Sequence, residues 1–143
     1  MAYQLTEENN LLPEHNVARY CGPRKIINGT LAYDVFLLRI GEGFLSTNWL
    51  EYFHPSDRQF QVVAVRNALE SKGFRVNRNG GFAILNVGTA VQRVYRDCNL
   101  LLNFRPLGQA SDPSHTGIFG YSVDDTDVAE SLANLVQEIQ PAV

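Results

Sequence analysis

The segment Asp112-Pro113-Ser114-His115 places an acid, a hydroxyl and an imidazole within four residues, just ahead of an apolar run. A carboxylate that bonds one imidazole nitrogen fixes the tautomer of the ring, which leaves the other nitrogen available as a general base. The spacing therefore predicts His115 and Asp112 as a catalytic pair and Ser114 as a neighbouring binding residue. The structural alternative is a plain turn, in which Asp112 bonds nearby backbone and His115 begins a strand.

Two other residues are candidates for binding. Arg39 follows an apolar run and could hold an anion through its planar guanidinium, although a surface pair with Glu42 explains it equally well. Trp49, with its aromatic neighbours, could form a recognition surface or the centre of a dimer interface. Packing in the core is the alternative for Trp49.

His54 and Cys21 are weaker candidates for chemistry. His54 precedes a helix start, where the positive end of the helix disfavours protonation, so a neutral imidazole there could bind a ligand. Cys21 lies near Arg19, Arg24 and Lys25, and these cations could lower the pKa of its thiol. The alternatives are a polar entry to the helix for His54 and an inert thiol for Cys21.

No metal-ligand spacing or cofactor fingerprint is found in the sequence, so we expect neither a metal nor a cofactor. His115 and Asp124 are nine positions apart, which corresponds to about 30 Å of extended chain. The acids Asp124, Asp125 and Asp127 are better explained as residues at the positive end of a helix.

Composition limits the class of partner. The chain has 143 residues and a net charge of −3, which argues against nucleic acid, because neutralising phosphates dominates that affinity. It contains neither an export signal nor an apolar run of about eighteen residues, so we expect a cytoplasmic protein that does not span a membrane. A protein partner, a homodimer or a small anionic ligand remains open.

Several local patterns predict the elements that position these residues. Asn28-Gly29 predicts a tight hairpin, and Val35-Phe36-Leu37-Leu38 predicts a buried strand. The segment 45–53 favours a short helix. A longer helix is predicted from a Ser56 cap to Lys72, ended by Gly73.

The second half of the chain predicts a further hairpin, formed by 74–76 and 81–87, and a short helix near Val91. Strands are expected at 100–104 and 116–123, and a final helix carries an apolar stripe from Val128 to Ile139. These elements predict a single α+β domain at 17–143, with an antiparallel or mixed sheet and two main covering helices. Residues 1–16 are predicted to form a flexible arm.

Four segments resemble a family of small bacterial proteins to which no activity is assigned: residues 36–39, 45–51, 82–88 and 112–115. The resemblance covers most of the chain from Val17 onwards. It implies a bacterial origin and an intracellular location, and it transfers no catalytic residue.

Together these features predict a binding or interaction protein that recognises a protein or a small anionic partner. The alternative is a small hydrolase or nuclease-like enzyme in which His115 is the base, Asp112 orients it and Arg39 stabilises a developing anion. That alternative requires His115 to share one cleft with Arg39 and with His54 or Cys21.

Overall fold

A six-stranded antiparallel sheet forms the centre of the protein, in the strand order β6-β7-β4-β1-β5-β8. It is described in a computed structural model that covers residues 5–6 and 8–143. The strands are β1 (Asn16–Cys21), β4 (Leu45–Trp49), β5 (Gly81–Asn86), β6 (Asn103–Pro106), β7 (His115–Phe119) and β8 (Glu138–Pro141). A separate two-stranded ribbon pairs β2 (Ile26–Ile27) with β3 (Thr30–Leu31).

Three helices cover the two faces of this sheet: α1 (Arg58–Ser71), α2 (Val87–Cys98) and α3 (Thr126–Leu135). One core cluster packs α2 and α3 on one face of the sheet, around residues such as Trp49 and Leu85. The other cluster packs α1 against β1 and β5, through Val65 and Phe82. The α+β class predicted from the sequence is confirmed, with an antiparallel sheet and one more substantial helix, α2, than the two main helices expected.

The predicted hairpin at Asn28-Gly29 is confirmed, because both residues have the positive φ that its turn type needs, +53° and +76°. The helix predicted from Ser56 is also present, but Asp57 rather than Ser56 caps it, through a carboxylate that accepts the Phe60 N–H at 3.0 Å. Gly73 follows the helix with φ +87°, as expected of a residue that ends a helix.

Two predictions from apolar runs are wrong. The run predicted as a strand at Val35–Leu38 forms none: its first two residues end a 3₁₀ helix, Tyr33–Phe36, and the last two lie outside any element. This helix packs on α3 and is anchored by the Tyr121 hydroxyl, which donates to the Phe36 carbonyl at 2.6 Å. The helix favoured at 45–53 is strand β4, followed by a short 3₁₀ helix at Leu50–Tyr52. Pairing with strands on both sides outweighs the local helical spacing there.

Two further predictions fail near the ends of elements. Phe74–Val76 forms no strand, and β5 pairs instead with β1 and β8. The final helix ends at Leu135, and the chain then forms β8, in which Ile139 pairs with Ala83 at the sheet edge. The apolar side chains after Leu135 thus reach the sheet by strand pairing rather than along the predicted helical stripe.

Within the segment predicted as a flexible arm, Leu11 is 3 % exposed and its N–H donates to the Phe104 carbonyl at 2.9 Å. His15 is also buried, against the ring of Trp49. Residues 1–4 and 7, which belong to the same predicted arm, lie outside the described residues. The boundary of the predicted arm and its flexibility therefore stay predictions.

Candidate functional site

The central strands β1 and β4 pair over only two residues, Val17 with Trp49 and Ala18 with Asn48. Beyond that point β1 continues along β5 as far as Cys21, and β4 remains paired with β7. The two inner strands therefore separate in the middle of the sheet. The opening between them is the base of the candidate site.

Arg19 bridges this opening. Its Nε donates to the Val35 carbonyl at 2.9 Å, and its Nη1 donates to the Ser46 carbonyl at 2.8 Å, across the gap. Among the described residues no carboxylate lies within ion-pair distance of its guanidinium. Burial lowers the pKa of Arg19 from its usual value, but a guanidinium stays protonated in proteins. Within the described residues, the positive charge at the opening is bonded to backbone carbonyls, and Glu42 attracts it from beyond ion-pair distance.

A cavity of about 720 Å³ lies over Arg19. Its charged walls carry more cations than anions, namely Arg19, Lys25, Arg39 and Lys72 against Asp34 and Glu42. Lys25 is paired with Asp34 at 2.6 Å, and Glu42 accepts the backbone N–H of Arg39 at 2.6 Å. In a chain of net charge −3, this cavity has a local excess of positive charge.

Asp112 and Ser114 form a buried network behind one wall of the cavity. Asn48 Nδ2 donates to Asp112 Oδ1 at 2.7 Å and to Ser114 Oγ at 2.9 Å, and Lys72 Nζ donates to Asp112 Oδ2 at 2.7 Å. Asp112 is 0 % exposed and Ser114 is 1 % exposed. Their polar atoms fix the loop before β7 to strand β4 and to the end of α1.

The predicted bond between the side chains of Asp112 and His115 does not form. His115 Nε2 lies 3.2 Å from Ser46 Oγ, and its Nδ1 is buried without a hydrogen-bond partner among the described residues. Asp112 instead uses its backbone carbonyl, which accepts the His115 N–H at 3.1 Å. The turn explanation of this segment therefore describes the local geometry, and Asp112 is bonded as an anchor of the loop.

His115 nevertheless lines the cavity together with Arg39 and Cys21. Burial is the main cause that lowers the pKa of His115 from 6.5; Lys72 lowers it further and Asp112 opposes the shift. The imidazole is therefore neutral at pH 7. Its Nε2 accepts a hydrogen bond from the Ser46 hydroxyl or donates one to it, depending on the tautomer.

Trp49 and His54 are not part of this cavity. Trp49 is 1 % exposed in the core, so the predicted aromatic recognition surface at Trp49 is wrong. His54 Nδ1 accepts the backbone N–H groups of Ser56 and Asp57 at 3.1 and 2.8 Å, at the start of α1. These bonds match the alternative role of His54 as a polar entry to the helix.

Cys21 and Arg39 border the same cavity in different ways. Cys21 is 1 % exposed, and burial raises the pKa of its thiol to about 11, outweighing the opposite effect of Arg19. These properties match the inert thiol given as the alternative for Cys21 and not a thiol activated by nearby cations. Arg39 is exposed at the rim, and its side chain forms no ion pair with the described residues.

Three residues that build the site were not predicted from the sequence: Arg19, Ser46 and Lys72. Arg19 was noted only as one member of a basic segment. A usable signal was present, because Arg19 interrupts the otherwise uncharged strand Val17–Cys21. A charged residue inside a buried strand is rare unless it is paired or binds something.

Within the described part of the chain, no three histidine, cysteine or acidic side chains converge in a way that could hold a metal ion. No helix in residues 5–6 and 8–143 is long and apolar enough to cross a membrane. Comparison with protein-family models, with curated proteins and with solved structures finds no significant match.

Proposed function

We propose that this protein binds a small anionic ligand in the cavity between β1 and β4, with Arg19 as the main contact. The observation that carries the proposal is the guanidinium of Arg19, held at the opening in the sheet without a carboxylate partner among the described residues. Removing a charge from water is costly unless an opposite charge and hydrogen bonds compensate for it. An anionic ligand supplies that compensation.

Arg19 retains guanidinium N–H groups that the two backbone carbonyls do not use. Its Nε and one hydrogen of Nη1 are directed to backbone carbonyls, so Nη2 and the second Nη1 hydrogen remain for a ligand. Two parallel N–H groups of this kind fit a carboxylate or phosphate in a bidentate manner. Arg39 adds positive charge at the rim and favours the same class of ligand, whereas the charge of Lys72 is already paired with Asp112.

The test is binding of acetate and inorganic phosphate, measured by isothermal titration calorimetry on the wild type and on Arg19→Gln. We expect Arg19→Gln to weaken both anions at least tenfold. The matched control is Arg93→Gln, which removes an exposed arginine that does not line the cavity. If folded Arg19→Gln binds both anions with the same affinity as the wild type, the proposal is wrong.

A hydrolytic or nuclease-like enzyme is the second candidate, and a specific observation favours it. His115, Arg39 and Cys21 line one cavity, and His115 Nε2 contacts Ser46 Oγ. In this alternative His115 takes a proton from Ser46 or from water, and Arg19 rather than Asp112 accompanies the reacting centre. Turnover of 4-nitrophenyl esters or phosphates that is lost in both Ser46→Ala and His115→Gln would favour the enzyme over the binding protein.

A protein partner or a homodimer, a bacterial origin and a cytoplasmic location stay predictions from the sequence. For a dimer, β6 and β8 are the two edge strands of the sheet, and on β6 the Phe104 carbonyl already accepts the Leu11 N–H. Size-exclusion chromatography with light scattering measures that state directly.

A further inference from the structure

We infer that the anion bound by this cavity is an organic acid with a flat apolar body, an aromatic carboxylate rather than an inorganic ion. This inference rests on the proposed function, because it assumes that Arg19 holds the charged end. It adds a second contact, the exposed ring of Phe74.

The size of the cavity excludes a small ion as its full occupant. About 720 Å³ lies in the range of about 300–1,000 Å³ that is typical of sites for organic ligands. Acetate or phosphate at Arg19 would leave most of this volume to water. A ligand that displaces this water from apolar walls gains affinity that a small ion cannot gain.

The walls of the cavity differ in chemistry from one side to the other. On the side of β4 and β7, polar groups surround the Arg19 guanidinium: Ser46, Asn48 and His115. On the side of α1 and the segment after it, the wall is formed by Leu69, Phe74 and the paired Lys72, and Tyr20 of β1 lies beside Phe74. A ligand that fills both sides therefore needs a charged end and an apolar end.

The apolar wall contains aromatic rings that are fixed in place. Tyr20 and Phe74 meet edge to face, with ring centroids 5.6 Å apart. The Tyr20 hydroxyl is held by Asn77, whose N–H donates to it at 2.8 Å. Phe74 remains 45 % exposed although it lies against this fixed ring. Aromatic pairs favour offset or edge-to-face contacts, so a flat ring is the natural ligand for this wall.

The experiment compares benzoate with acetate, inorganic phosphate and uncharged benzamide by calorimetry. We expect benzoate to bind at least tenfold more tightly than acetate, which requires burial of only about 60 Å² of apolar surface. Benzamide should bind much more weakly than benzoate, because it cannot compensate the charge of Arg19. Phe74→Ala should remove most of the advantage of benzoate over acetate and leave acetate binding unchanged.

Two controls separate the ring from general effects on the fold. Phe74→Leu keeps an apolar side chain and should keep part of the advantage, whereas Tyr95→Ala removes an exposed ring on α2 and should change nothing. In the wild type, magnetisation transfer from benzoate protons to the Phe74 ring should be visible by NMR. That measurement needs no variant to fold.

The failures of the two proposals are distinguishable. If acetate and phosphate bind as tightly as benzoate and all three depend on Arg19, the aromatic inference is overturned and anion binding stands. If benzoate binding depends on Phe74 but is the same in Arg19→Gln, the proposal of an anion site is overturned.

Discussion

Arg19 and Ser46 are joined across the middle of the sheet by a side chain rather than by the backbone ladder: Arg19 Nη1 lies 2.8 Å from the Ser46 carbonyl oxygen. Strand pairing between β1 and β4 has already stopped at Ala18 and Asn48. The guanidinium therefore satisfies a carbonyl that the neighbouring strand would otherwise serve. The Arg19 guanidinium therefore links the two strands and also places a positive charge in the cavity above them.

Lys72→Met should destabilise the protein far more than Lys25→Met, although both lysines form ion pairs of nearly equal length. Lys72 pairs at 2.7 Å with Asp112, whose side chain is 0 % exposed, whereas the Lys25–Asp34 pair at 2.6 Å is 45 % and 38 % exposed. Removing Lys72 leaves a buried carboxylate without its cation, at a cost of about 3 kcal/mol, against less than about 1 kcal/mol for the exposed pair. Urea denaturation of the two variants measures the difference. Equal losses would show that the buried network around Asp112 adds nothing to stability.

Cys21 should resist thiol reagents in the folded protein, whereas Cys98 should react. Cys21 is 1 % exposed and burial raises the pKa of its thiol to about 11, so the reactive thiolate is scarce at pH 8. Cys98 is only partly buried. Titration with Ellman's reagent should count one thiol in buffer and two in denaturant, and Cys98→Ser should abolish the native signal. Rapid reaction of Cys21 in the Cys98→Ser variant would contradict the account of its burial.

Stability should fall on mild acidification because of His15 and His115. Burial is the main reason why the pKa values of His15 and His115 lie below the usual 6.5. Acidic residues near each histidine oppose this shift. As pH falls through about 6.5, the unfolded chain takes up protons that the folded protein does not, so the free energy of unfolding decreases. The decrease ends once the pH is below the folded-state pKa values.

Urea denaturation at pH 7.5, 6.5 and 5.5 measures this effect, and the single tryptophan, Trp49, reports unfolding from the core. The double variant His15→Gln/His115→Gln should show a flatter dependence on pH than the wild type. His54→Gln serves as the control, since His54 is only partly buried at the start of α1, whereas His15 and His115 are buried. A wild-type slope retained in the double variant would assign the effect to other groups.

Elements with a complete local signal were predictable from the sequence. Asn28-Gly29 specifies its turn because both positions need positive φ, and Gly73 ends α1 for the same conformational reason. Strand β4 was not predictable in this way. The helical spacing lies in the wider segment 45–53, through Trp49, Leu50 and Phe53, and the state of residues 45–49 is decided by partners in β1 and β7, which are distant along the chain.

The candidate site shows the same contrast between features specified by local sequence and features decided by distant parts of the chain. His115 and Arg39 were selected by residue type, and both do border the cavity. Asp112 was selected for its proximity to His115 in sequence, but its carboxylate bonds Asn48 and Lys72, which are 64 and 40 positions away. Arg19 acquires its role only because two strands part beside it, and no local pattern reports where a sheet opens.

The opening also divides the sheet into two plates, β6-β7-β4 and β1-β5-β8, each with a continuous ladder of its own. The seam between the plates is crossed by two strand-pairing residue pairs, by Arg19 and by the core cluster that includes Trp49 and Leu85. Farther out, Lys72 links α1 on one plate to Asp112 beside the other. A ligand bound in the seam would contact residues of both plates. Ligand binding would then stabilise the contact between the two plates. We therefore expect the bound ligand to slow amide hydrogen exchange in both plates at once.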